Sequence, residues 1–153
     1  MENNYIISEL YITKAKRHKR VRIINSFENC KKERGWNDKE ADYKYKNEEE
    51  IKKCKIIING KIIPFSYYYI FEKVGKYNIK YLFSENLTRA TCMFCRCNSL
   101  TKIDLSNFNT QNITDMSDMF YGCNSLIKKT INFIKGENYY EDGENSSDEE
   151  NNY

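Results

Sequence analysis

The chain opens on a two-residue period. Ile6, Leu10 and Ile12 fall on even positions, with Ile7, Glu9 and Tyr11 between them, as in a strand with one buried face. Val21, Ile23 and Ile24 make a second short apolar run, and residues 14–20 read as the polar connection of a long hairpin. A third run at 54–58 leads into Asn59-Gly60 and a returning run at 61–63. Asn-Gly between two apolar runs predicts a tight hairpin, because both turn residues take positive φ. Pro64 follows, and a residue without an N–H ends or edges a strand. Tyr77, Ile79, Tyr81 and Phe83 then alternate with polar neighbours, predicting a half-buried strand that starts near Gly75. Between the second and third runs lies a charged insertion at 31–53, where Asn47 before Glu48-Glu49-Glu50 predicts a helix start.

Past residue 85 the pattern repeats. Asn86, Thr88, Met93, Phe94, Cys97, Asn98, Ser99 and Leu100 recur 26 residues later as Asn112, Thr114, Met119, Phe120, Cys123, Asn124, Ser125 and Leu126. That offset lies inside the span of leucine-rich repeats. Leu100, Ile103, Leu105 and Phe108 have the matching internal spacing, with a strand at 103–105, and residues 114–120 read as a helix opened by a hydroxyl and an acid. Under the same offset Ile103 maps to Lys129. Lys128 and Lys129 are poor core residues, so the stack either ends here as a degenerate cap or leaves an apolar end open to self-association.

Residues 86–126 resemble the BspA-type leucine-rich repeat, most clearly from Asn98-Ser99-Leu100 through Met119-Phe120-Tyr121-Gly122-Cys123. The resemblance implies a non-enzymatic solenoid of the kind described as adhesive or protein-binding, often at a cell surface. The stretch Tyr69, Phe71, Gly75, Tyr77, Ile79 is similar to the end of PKD-like, immunoglobulin-type domains. The expected fold is thus α+β and β-rich. A small immunoglobulin-like or β-grasp domain (1–85) caps a short leucine-rich-repeat solenoid (86–136, about one and a half repeats), and an acidic tail (137–153) follows.

Charge changes this picture at two places. The chain carries 25 Lys and Arg against 22 Asp and Glu. Seven of the acids lie in 137–153, which holds no Lys or Arg. That tail is polar enough to be expected disordered, and Ser146 and Ser147, each with an acid three residues on, suit an acid-directed kinase. Lys14, Lys16, Arg17, Lys19, Arg20 and Arg22 form a basic cluster. It reads either as a solvated loop or as a site for nucleic acid or an anionic membrane. With Tyr11 the only aromatic close by, nucleic acid is the poorer partner.

Little points to catalysis. His18 is the single histidine, and no phosphate loop, dinucleotide fingerprint, nucleophile elbow or zinc-protease motif occurs. Cys92, Cys95 and Cys97 lack a fourth ligand in the local sequence. They read as small buried hydrophobes rather than a metal site, so no metal and no cofactor are expected. Tyr67, Tyr68 and Tyr69, with Phe65 and Phe71, read as strand packing. The expectation is a non-catalytic protein-binding module whose face is built from Lys102, Asp104 and Ser106, edged by Arg89, Asn107, Asn109 and Gln111. The N-terminus shows no signal-peptide pattern, which predicts a cytoplasmic chain with reduced cysteines.

Overall fold

The computed structural model describes residues 4–127. The element order is β1 Tyr5–Ile12, β2 Arg20–Arg22, α1 Phe27–Arg34, α2 Lys39–Tyr45, α3 Glu48–Ile51, β3 Lys55–Ile58, β4 Lys61–Ile63, β5 Tyr68–Ile70, β6 Gly75–Leu82 and β7 Leu100–Asp104. Five strands make an antiparallel sheet in the order β4-β3-β6-β1-β7, and β2 pairs with β5 in a separate ribbon. The β3–β4 hairpin turns through Asn59 and Gly60 at φ 45° and 83°, and β4 ends one residue before Pro64 as an edge strand.

The sheet buries one face. Ile6, Leu10 and Ile12 of β1, Ile56 of β3, Ile79 and Tyr81 of β6 and Ile103 of β7 point into a core completed by Ile23, Ile24, Phe71 and the segment from Leu87 to Cys97. Tyr81 is fully buried, so its hydroxyl needs a partner to offset desolvation. It donates to the Ile23 carbonyl at 2.5 Å and accepts from the Ser8 hydroxyl at 3.2 Å. The three helices lie between β2 and β3, and α1 is capped at Ser26, whose side chain accepts from the Asn29 N–H.

Three expectations are corrected here. Residues 14–20 do not close a hairpin, because β1 pairs with β6 and β7 while β2 pairs with β5. Residues 114–120 form turns rather than a helix, with Asp118 at φ 55°.

The third correction concerns the fold class. The protein is a small β-rich structure of antiparallel sheets with few helices, and no leucine-rich-repeat solenoid is present among the described residues. β7 docks antiparallel on the open edge of β1, where Leu100 and Ile103 are buried, and on its other side the Ile127 N–H donates to the Thr101 carbonyl at 3.0 Å. The 26-residue repeat survives as a local pairing of turns. Thr114 N–H donates to Thr88 O at 2.8 Å, Ala90 N–H to Asp115 O at 2.9 Å and Phe94 N–H to Met119 O at 2.9 Å, while the Phe94 and Phe120 rings stack at 5.8 Å. The proposed end of the stack at 128–136, the tail, Ser146 and Ser147 lie outside the described residues.

Candidate functional site

The outer face of the five-stranded sheet follows from the same alternation that builds the core. Cross-strand register places Ile62, Ile57, Lys80, Ile7 and Asp104 in one row across all five strands. Tyr5 and Leu82 flank it on one side, and Glu9 with Lys102 on the other. Ile7, Tyr11 and Ile62 are exposed, Ile62 to 60%. An isoleucine left that open stabilises nothing in the isolated chain. The face also carries Lys55, Lys76, Lys80 and Lys102 against Glu9 and Asp104. Lys80 lies over the Tyr5 ring at 4.3 Å, and Lys76 reaches Glu9 at 3.8 Å.

Several sequence-predicted partner residues adjoin this face. Lys102 and Asp104 lie on β7, and the chain continues through Ser106 and Asn107. The Asp104 carboxylate accepts from the Ser106 N–H at 2.9 Å and hydroxyl at 2.6 Å, fixing the turn after the strand. Asn107 accepts at its carbonyl from the Tyr5 N–H at 3.1 Å. Asn109 and Gln111 lie farther along this loop, where the Asn109 amide donates to Asn86 Oδ1 at 2.9 Å and its Oδ1 accepts from the Gln111 N–H at 3.0 Å. Arg89 is elsewhere. Its side chain donates to the Lys46 carbonyl at 3.2 Å, and its backbone forms an isolated parallel β-bridge with Asp115.

The basic cluster divides as well. Arg22 is buried and ion-paired with Glu33 at 2.5 Å, beside Tyr68. Arg20 lies over the Tyr68 ring at 3.9 Å, and Lys16 donates to the Ser99 hydroxyl at 2.8 Å. Lys14, Arg17 and Lys19 remain exposed on the turn. His18 sits there at φ 66°, its Nδ1 3.3 Å from Glu72. Phe71 is buried and Phe65, Tyr67 and Tyr69 pack against the core.

A third site is one that local spacing does not reveal. Cys30 on α1 meets Cys92 and Cys95 in a small buried cluster with Phe27, walled by Ala41, Tyr45 and Tyr121. The three Sγ atoms lie within 4.8 Å of one another, with Cys30 and Cys95 3.2 Å apart. Two buried amides hold the segments together. Asn25 donates to the Cys95 carbonyl at 2.9 Å and accepts from the Ser26 N–H at 2.9 Å. Asn47 accepts from the Phe27 N–H at 2.9 Å and donates to the Thr91 carbonyl at 2.8 Å. Sulfur hydrogen bonds shared with Cys92 and Cys95 hold Cys30 below the ordinary thiol value against the opposing effect of burial, with Arg34 and Arg96 assisting. The bond to Cys30 pushes Cys95 up to about 12 and raises Cys92 further. Cys54 and Cys97, by contrast, sit in the main core, where burial raises both.

No helix among the described residues is long and apolar enough to cross a membrane. No curated protein and no solved structure matches the chain. One family model, described as Mycoplasma protein of unknown function, DUF285, matches residues 65–142. The match takes in β5, β6, β7 and both repeat copies, and leaves β1 and Cys30 outside it. Because that span is half of the sequence, the chain belongs to the DUF285 family of Mycoplasma proteins of unknown function.

Proposed function

We propose that the protein is a non-catalytic protein-binding module whose docking surface is the outer face of the five-stranded sheet, from Ile62 on β4 to Lys102 and Asp104 on β7. The observation that carries this reading is the continuous row Ile62–Ile57–Lys80–Ile7, apolar at three of four positions and set on the sheet face opposite the core. Apolar surface of this kind, ringed by charge, marks interaction sites more often than scattered single residues do. The partner it fits presents an apolar strip with acidic flanks, because lysines outnumber acids on the face. The BspA-type resemblance of residues 86–126, a sequence class described as adhesive or protein-binding, supports the same role.

The test is site-specific photocrosslinking in cells expressing the chain. A photoreactive residue at Ile62 or Tyr11 is expected to give one common adduct, and the same residue at Lys39 on α2 none. Lys80→Glu and Lys102→Glu should remove that adduct. Adducts that are absent from both face positions, or indifferent to the charge reversals, defeat the proposal.

Polyanion binding through the 14–22 cluster is the second reading. Arg22 is internal and Lys16 already has a protein partner, so Lys14, Arg17, Lys19 and Arg20 are the exposed cations left to carry it.

A further inference from the structure

We propose that Cys30, Cys92 and Cys95 form a binding site for a thiophilic, closed-shell metal ion, Zn(II) or Cu(I). Thiolate sulfurs select soft ions of this kind.

Geometry comes first. Three sulfurs bound to one ion at about 2.3 Å stand roughly 3.8–4.0 Å from one another. Here all three lie within 4.8 Å, with one pair at 3.2 Å. Side-chain adjustments of about 1 Å or less bring them to ligand spacing.

The scaffold holds the sulfurs in place independently of any ion. Cys92 and Cys95 flank a tight turn in which the Cys95 N–H donates to the Cys92 carbonyl at 3.0 Å. Asn25 ties that turn to the start of α1, and Cys30 lies one helical turn beyond Phe27 on the buried side of α1. The trio is 0–3% exposed, so an ion seated there would be shielded from water.

Charge and the internal repeat point the same way. Three thiolates around Zn(II) or Cu(I) leave a net negative charge. The guanidiniums of Arg34 and Arg96 are close enough to act on the Cys30 sulfur and offset it. The two repeat copies share Met93/Met119, Phe94/Phe120 and Cys97/Cys123, which pack in or against the main core. At the positions of Cys92 and Cys95 the second copy carries Asp118 and Tyr121. Thiols therefore stand where Cys30 faces the first copy and are replaced in the second, which no cysteine of α1 meets.

Among the described residues no fourth Cys, His, Asp or Glu joins the group. A three-sulfur site suits Cu(I) directly, or Zn(II) with an exogenous fourth ligand. Each sulfur that still carries a proton releases it to solvent as its sulfur–metal bond forms.

The full chain, reduced and kept anaerobic, is titrated separately with Zn(II) and Cu(I) against a chelator of known affinity. The bound form is then examined by X-ray absorption. One equivalent of at least one ion is expected, with three sulfur scatterers at about 2.3 Å. Cys30→Ala and Cys95→Ala should each weaken binding by more than the 10–100-fold typical of outer-shell changes, while Cys54→Ala leaves it unchanged. Fewer than three sulfurs around the ion overturns the proposal without recourse to any variant. So does uptake of neither ion, or binding that survives Cys30→Ala.

Discussion

Asn25→Ala is the substitution that most directly tests how the cysteine-bearing turn is held to α1. The side chain is fully buried, and it serves two groups that are buried as well. Its amide donates to the Cys95 carbonyl at 2.9 Å, and its Oδ1 accepts from the Ser26 N–H at 2.9 Å. Alanine leaves both stranded in the interior, and a stranded buried polar group costs about 1–3 kcal/mol. The third partner, the Asn29 amide at 2.9 Å, loses less, because it is only part-buried and also reaches Glu33 at 3.2 Å. The expected loss is therefore about 3–4 kcal/mol, a large share of the roughly 5–15 kcal/mol that holds a small domain folded. Urea denaturation of the reduced chain reads it as a fall in midpoint at unchanged slope. Asn29→Ala is the control and should cost under about 1 kcal/mol, since its bonds are partly open to solvent. A loss below about 1 kcal/mol for Asn25→Ala, or one no larger than that of Asn29→Ala, would falsify the clamp.

The sheet faces should differ sharply. Ile56→Ala on the buried face is expected to cost about 2–5 kcal/mol, and Ile62→Thr, at 60% exposure, to stay within about 0.5 kcal/mol. Equal losses in thermal unfolding would mean that the outer face is not free surface. Gly122→Ala forces a Cβ at φ +69° to within 3.1 Å of Arg96 Cγ. A destabilisation of roughly 1–2 kcal/mol by denaturation is expected from the left-handed backbone alone, and a neutral result would contradict the turn geometry. Burial raises the Glu33 carboxyl, but hydrogen bonds from Arg22 and Tyr68 outweigh it and leave the group below its ordinary 4.5. Because the folded value is the lower one, the stabilisation is complete above about pH 4.5 and is lost as pH falls below it. Glu33→Gln should thus lower stability at pH 7 and narrow its deficit at pH 3. A pH-independent deficit would contradict that reasoning.

The parts of the fold that could be read from the chain are those set by neighbours in sequence. The alternation in 6–12 and 77–83 and the Asn59-Gly60 turn each depend on a few adjacent residues, and β1, β6 and the β3–β4 hairpin follow them. What was illegible depends on distant partners. Nothing near Cys92 and Cys95 announces Cys30, which is brought in by α1 and by Asn25. Arg22 read as one more solvated cation because it ends the basic cluster that begins at Lys14. Val21 and Arg22 are both buried, and Glu33 arrives from α1 to neutralise the charge. Residues 114–120 read as a helix because Met116, Met119 and Phe120 have helical spacing. A chain of tight turns puts the same residues inward, and pairing with residues 88–96 selects the turns.

The repeat itself shows why correct arithmetic led to the wrong architecture. Positions 92 and 118 both take left-handed backbone, at φ 60° and 55°, and so do 96 and 122, at 61° and 69°. The two copies share a backbone path as well as core residues, and their N–H and carbonyl groups pair across the offset. That pairing satisfies the turns locally and needs no third unit. A solenoid is required only when a repeat has an apolar strand face with nothing else to cover it. Here β1 supplied the cover. With Leu100 and Ile103 buried beside β1, the first copy's strand is covered without a further stacked strand among the described residues. The repeat therefore pairs the Cys92–Cys95 turn with its second copy, while β7 closes the sheet edge beside β1.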